Sequence, residues 1–214
     1  MLPGLKPTLL SLAVVLMMTG CGIVPHYATA KLAGQGEWQI TPAATIHSFN
    51  SKPRTTNEDE EALEGSGSGL SVGAAAAYGI TDEFNAAVRY EHFPGEAKSR
   101  HFLHGELKVG VERGAAAFSF GYGQLLGADL HQLTMNMFMD YPLQNGVVFC
   151  LSPQGSMLFG SDGPVGFFDA TLNGSLAYPV TPALTVFPQV GVSVLPLLFN
   201  TFVLKAGFAG RYEF

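Results

Sequence analysis

Residues 202–214 read FVLKAGFAGRYEF, and their alternation decides the fold. Phe202, Leu204, Ala206, Phe208, Gly210, Tyr212 and Phe214 occupy the even positions, whereas Lys205, Arg211 and Glu213 all fall on odd ones. A period of two belongs to a β-strand, whose successive side chains point to opposite faces. One face of this strand is apolar to its last residue, and the other is charged.

The same pattern recurs upstream. In residues 167–178, FFDATLNGSLAY, the set Phe168, Leu172, Leu176 and Tyr178 opposes Asp169, Thr171, Asn173 and Ser175. In residues 130–141, LHQLTMNMFMDY, the set Leu133, Met135, Met137 and Met139 opposes Gln132, Thr134, Asn136 and Asp140. Residues 101–112 set Leu103, Leu107, Val109 and Val111 against His104, Glu106, Lys108 and Glu112, and residues 184–194 alternate likewise. With segments at 37–48, 70–80, 84–93, 115–124 and 146–157, the periodicity predicts about ten strands, each of roughly ten to twelve residues, the length of a tilted strand that crosses a bilayer. Eight strands is the alternative, because Pro42 interrupts the segment at 37–48. Pro153 and Pro188 also fall inside strands, where each removes a ladder bond, so bulges or strand ends are expected beside them. The breaks alternate too: ITDEFN, ERG, LQNG and PVTPA are short and rich in turn residues, and the intervening set is longer on average.

A soluble sandwich also alternates, with one face of each sheet buried. Here the one-sidedness holds on every strand, and Trp38, Tyr78, Phe84, Tyr90, Tyr122, Tyr141, Phe168, Tyr178, Tyr212 and Phe214 gather at strand ends, as in the aromatic girdles of a membrane barrel. An unpaired amide in hydrocarbon costs several kcal/mol, so such a sheet has to close on itself. The predicted fold is therefore all-β, a closed antiparallel up-and-down transmembrane β-barrel. The bulk numbers agree: 47% of residues are hydrophobic and 13% charged, and the 26 glycines and 16 phenylalanines suit strands and turns. A formal net charge of -6 with no basic face argues against a nucleic-acid partner.

The ending, with Phe208 and Tyr212 in phase and Phe214 terminal, resembles the C-terminal signature of bacterial outer-membrane β-barrel proteins. In that family the barrel-insertion machinery recognises the last strand, and the resemblance implies the same partner here. The opposite end, MLPGLKPTLLSLAVVLMMTGCG, carries Lys6, an apolar run over 8–19 and then Met18-Thr19-Gly20-Cys21, which resembles the lipobox of bacterial lipoproteins, with Met18 where that family usually has leucine. The resemblance implies a cleaved signal peptide over 1–20, acyl chains such as palmitate on Cys21, a lipidated tether over 21–35 and a barrel over 36–214. Gly22 lacks the aspartate that favours inner-membrane retention, so outer-membrane delivery, with the lipid anchor at the N-terminus, is implied as well.

Inward positions carry Arg89, Glu91, His104, Glu106, Lys108, Asp140, Asp169, Lys205 and Arg211, joined by Glu37, Glu112 and Glu213. Buried charges persist when paired, so these predict a polar network that largely plugs a barrel too small for a wide channel. Gly73, Ala75, Ala77, Gly121 and Gly123 leave room for a narrow water path, and Cys150 reads as a small inward filler. The acidic run at 57–64, NEDEEALE, reads as a solvated excursion. No spacing of residues points to a metal, a cofactor or a catalytic motif, and His92, His101 and His131 read as interfacial residues. The expected function is that of a lipid-anchored, non-enzymatic outer-membrane barrel, a structural or partner-binding element whose partners are outer-membrane lipids and another envelope protein. A narrow, porin-like small-solute channel is the first alternative, and a lipid-modifying enzyme using His131 is the second.

Overall fold

The structure, a computed structural model, describes residues 27–53, 65–94, 100–111, 115–127, 130–160, 163–195 and 199–214. The expected signal peptide, Cys21, His26, the acidic run and Glu112 lie outside the described residues. Ten strands account for nearly all the rest: β1 (Trp38–Pro53), β2 (Gly65–Thr81), β3 (Phe84–Phe93), β4 (Arg100–Val111), β5 (Ala116–Leu126), β6 (Leu130–Pro142), β7 (Val148–Gly160), β8 (Gly163–Thr181), β9 (Leu184–Leu195) and β10 (Phe199–Glu213). Each pairs antiparallel with its sequence neighbours, and β1 pairs with β10 to close the barrel. The eight-strand alternative is excluded, and the segment holding Pro42 is a full member of the wall.

Closure is complete to the last residue. Register runs from Gln39 opposite Glu213 to Pro53 opposite Phe199, and below it the Trp38 N–H donates to the Phe214 carbonyl at 3.2 Å while the Phe214 N–H returns a bond of 3.0 Å. The three prolines leave gaps instead of bulges. Pairing of β1 with β10 skips from Ile40 to Ala43 at Pro42, that of β6 with β7 from Gln154 to Leu151 at Pro153, and that of β8 with β9 from Gln189 to Val186 at Pro188. Register is unchanged across each gap, because a missing N–H deletes a bond without adding a residue. Register shifts fall instead at Gly79/Thr81, Leu158/Gly160 and Pro179/Thr181, next to connections.

Burial runs opposite to that of a soluble domain. Ile46 and Leu204 are 60% exposed and Leu172 46%, whereas Asp169 is fully buried, Asn136 1% exposed and Lys205 4%. An apolar exterior around a polar interior is the surface of a barrel solvated by acyl chains. The tight connections share one end, the turn end, where Trp38, Tyr78, Tyr141, Tyr178, Tyr212 and Phe214 stand outward. Tyr90, Tyr122 and Phe168 ring the other, the loop end.

Trp38 is the only tryptophan of the chain and lies half exposed in the turn-end girdle, its ring 4.9 Å from that of Tyr78. Reconstitution into vesicles containing brominated phospholipid is expected to quench its fluorescence strongly, and emission insensitive to bromine would contradict a lipid-facing exterior.

Candidate functional site: the barrel lumen

The lumen is occupied by the chain's own N-terminal segment. Gly36, at φ +80, takes a conformation that other residues rarely adopt, and it turns the chain back from β1 so that residues 35–27 rise into the barrel from the turn end. Tyr27, Thr29, Ala30 and Ala33 are almost fully buried. Part of the stretch expected to be a tether is thus a strap built into the interior. Its small side chains explain this, since alanine, threonine and glycine fit beside a wall that already carries large polar groups.

Most strands of the barrel hold the strap. The Tyr27 hydroxyl donates to the Ala44 carbonyl at 3.1 Å and bonds to the Thr45 hydroxyl, seven residues above Trp38 and so about 23 Å along the strand. The Ala30 N–H donates to Asp140 at 2.9 Å, Lys108 donates to the carbonyls of Thr29 and Lys31, and Arg211 donates to the Thr29 hydroxyl at 3.3 Å. With the Asn85 amide turned so that its nitrogen meets the Phe84 carbonyl, its oxygen accepts from the Ala33 N–H at 2.8 Å. At the mouth Lys31 pairs with Glu213 at 2.9 Å, and the Gly36 N–H donates to the Gly79 carbonyl at 2.8 Å. Ala30 also packs with Ala117, Phe138 and Cys150, and Tyr27 with Phe187 and Ala209.

All nine polar residues picked out for the lumen point inward, in two tiers. Around the strap stand Arg89, Glu106, Lys108, Asp140 and Arg211. Lys108 lies 4.3 Å from the Phe138 ring centroid, and Arg211 lies 4.9 Å from that of Phe187 and 3.2 Å from Glu213. Nearer the loop end stand Glu91, His104, Asp169 and Lys205, all buried. His104 shares a 2.9 Å bond with Thr134, and Asp169 accepts from Ser156 at 3.1 Å and Thr171 at 3.4 Å. Lys108 is thus matched by backbone carbonyls of the strap, and Arg211 by a strap hydroxyl as well as by Glu213, partners that charge counting along the strands did not reveal. Glu37 differs from expectation: it precedes β1, is exposed, and accepts from the Gly34 N–H at 3.0 Å.

Above the strap the walls are unlike. On β6–β9, Gln154, Asn173 and Gln189 each bury both amide atoms without a hydrogen-bond partner, joined by Gln132 Nε2, Asn136 Oδ1 and Ser152 Oγ. Gly73, Ala75 and Ala77 of β2 face inward opposite. Phe93, Phe102 and Leu125 form an apolar stopper at the loop end. A cavity of about 60 Å³ beside the strap is lined by Tyr27, Lys31, Arg89, Glu106, Lys108 and Arg211, with Ala75, Ala77 and Ala87 among the small residues completing it. His47 and Ser71, missed in the sequence because neither lies in a motif, share a 2.9 Å bond, but His47 Nδ1 has no partner to orient the ring and both are sealed in the wall.

Two glycines seat the strap. A Cβ on Gly207 would collide with the Tyr27 hydroxyl and with the Ala44 carbonyl that holds it, and one on Gly79 with the Gly34 carbonyl. Gly207→Val is expected to disfavour strap docking by about 1–3 kcal/mol and to raise trypsin cleavage at Lys31 roughly tenfold, with the heat-modifiable barrel band intact. Unchanged cleavage in the folded variant would contradict this seating.

No protein-family model matches the chain, and no curated protein does. Among solved structures the chain is similar to the KdgM porin at 14% identity and a TM-score of 0.44, over 79% of this chain and 99% of that one. It is similar to Neisserial surface protein A at 14% and 0.37, over 84% and 100%, and to the translocator domain of autotransporter NalP from Neisseria meningitidis at 13% and 0.44, over 97% and 96%. Likenesses of this degree carry no argument about function, and the barrel fold rests on the strand pairing itself.

Proposed function

We propose that the chain is a small bacterial outer-membrane barrel, lipid-anchored through Cys21 and non-enzymatic, whose lumen is closed by its own N-terminal strap and which serves the envelope as a structural or partner-binding element. The observation that carries this reading is the strap: Lys108, Asp140, Arg211 and Thr45 from four strands each make a hydrogen bond to residues 27–31. A barrel of this girth without such a filler would hold only a thin water column. The terminal aromatic strand with Phe208, Tyr212 and Phe214 outward supports recognition by the insertion machinery.

In planar bilayers the full chain is expected to pass negligible current, and deletion of residues 27–34 or the double variant Lys108→Ala, Asp140→Ala to give steady conductance. A second reading, the narrow conduit, draws on the cavity beside the strap and the unpartnered amides above it. It requires measurable current through the intact chain that changes on substitution of Lys205 or Asp169. For the anchor, metabolic labelling with an alkynyl palmitate is expected to mark the wild type and not Cys21→Ser, and equal labelling of both would refute lipidation at that residue.

A further inference from the structure

The strap does not fill the lumen evenly. Ala28 and Ala30 lean on Ala117, Phe138 and Cys150 of β5–β7, and Tyr27 packs with Ala177, Phe187 and Ala209 of β8–β10. The facing wall is set back, because Ala75 and Ala77 of β2 and Ala87 of β3 end in a methyl group, and the cavity of about 60 Å³ lies between them and the strap. Lys31, an exposed residue at the mouth, is part of its lining, so the space adjoins the turn end.

The charges around this space are uneven. Among the described residues, Lys31, Arg89, Lys108 and Arg211 line it with Glu106 as the one carboxylate. Asp140 and Glu213 stand beside it, the first engaged by the Ala30 N–H and the second shared between Lys31 and Arg211. With both counted, four cations face three carboxylates, whereas the tier above sets Lys205 against Glu91 and Asp169. The lumen is thus polarised along its axis, positive beside the cavity and negative beyond it. Lys108 meets only neutral partners by contact: the carbonyls of Thr29 and Lys31, the latter at 3.5 Å, and the Phe138 ring. A bond of that length is at the outer limit, so the ammonium can turn one N–H to a better acceptor without releasing the strap. Arg89 and Glu106 have contacts of their own, and the site draws on their charge alone.

We propose that the cavity binds a small free oxyanion, a phosphate or a carboxylate, which enters from the turn end and is held by Lys108 in the field of Arg89 and Arg211. Charge-assisted hydrogen bonds of this kind are strong, and an enclosure away from bulk water strengthens them further. The volume sets the size of the ligand. Sites for drug-sized molecules run to roughly 300 Å³ or more, whereas about 60 Å³ accepts water or an ion of a few heavy atoms. The carboxylates of the tier above repel the anion and stop it beside the strap. This inference rests on the strap being seated in the lumen, and it is independent of the lipid anchor and of conduction.

The test titrates the folded full-length chain in detergent with inorganic phosphate, acetate or glycerol at constant ionic strength, read by isothermal titration calorimetry. The wild type is expected to bind an anion saturably and to ignore glycerol, and the stronger of the two anions assigns the ligand. Ala87→Leu fills the space and alters no charge, so it is expected to abolish binding while trypsin cleavage at Lys31 stays unchanged. Arg89→Gln keeps the space and is expected to weaken binding about tenfold. No saturable binding of either anion, equal binding of glycerol, or an affinity untouched by both substitutions would each overturn the proposal. Trypsin resistance at Lys31 separates the two ways of failing: ready cleavage of the wild type strikes the closure of the lumen itself, whereas resistance without anion binding strikes this site alone.

Discussion

In hydrocarbon a peptide group has no solvent to bond with, so every N–H and C=O of the wall must find its partner in the wall. The pairing of β1 with β10 satisfies that demand, and most of the molecule follows from it. Once the sheet closes, its two faces become an outside and an inside, and the alternation of each strand becomes an apolar exterior around a polar interior. The three prolines are tolerated on the same terms, each losing one local stretch of pairing while the ladders on either side keep register.

Closure also creates the problem that the strap resolves. A cylinder of ten strands gathers Lys108, Arg211, Asp140 and Asn85 in an enclosed interior, and each of them gives or takes a hydrogen bond with the strap. The backbone of residues 27–36 supplies donors and acceptors at fixed spacing, and its Ala28 and Ala30 let it lie against Phe138 while Tyr27 packs with Phe187. The interior is therefore not a charge network threaded by a polypeptide but a polypeptide held by charges. The amides of Gln154, Asn173 and Gln189 take no hydrogen bond from it.

The fold was legible in the sequence because a strand's period is rigid: a shift of one residue would have turned Asp169 or Lys205 into the acyl chains, so the pattern leaves no second solution. The inward orientation of Arg89, Glu106, Asp140 and Arg211 was legible for the same reason. The strap was not, since a segment without its own periodicity declares nothing about where it lies, and residues such as Ala30 and Ala33 suit a linker as well as a crowded interior. The bonds of Tyr90 to His101 and of Tyr122 to His131 were equally hidden. His131 stood out as an odd residue on a lipid face, but its bond to Tyr122 depends on cross-strand register, which residue order does not contain.

The strap hangs from β1, the strand that makes the seam with β10, and its reversal at Gly36 lies at the foot of that seam. Its way in is simplest while the seam is still open, when the segment can lie across a curling sheet as one lays a finger in a palm before the hand shuts. A finished cylinder would have to be entered end-on. Chain order and anatomy thereby coincide: among the described residues the first are those around which the wall is wrapped, and the last strand completes that wall.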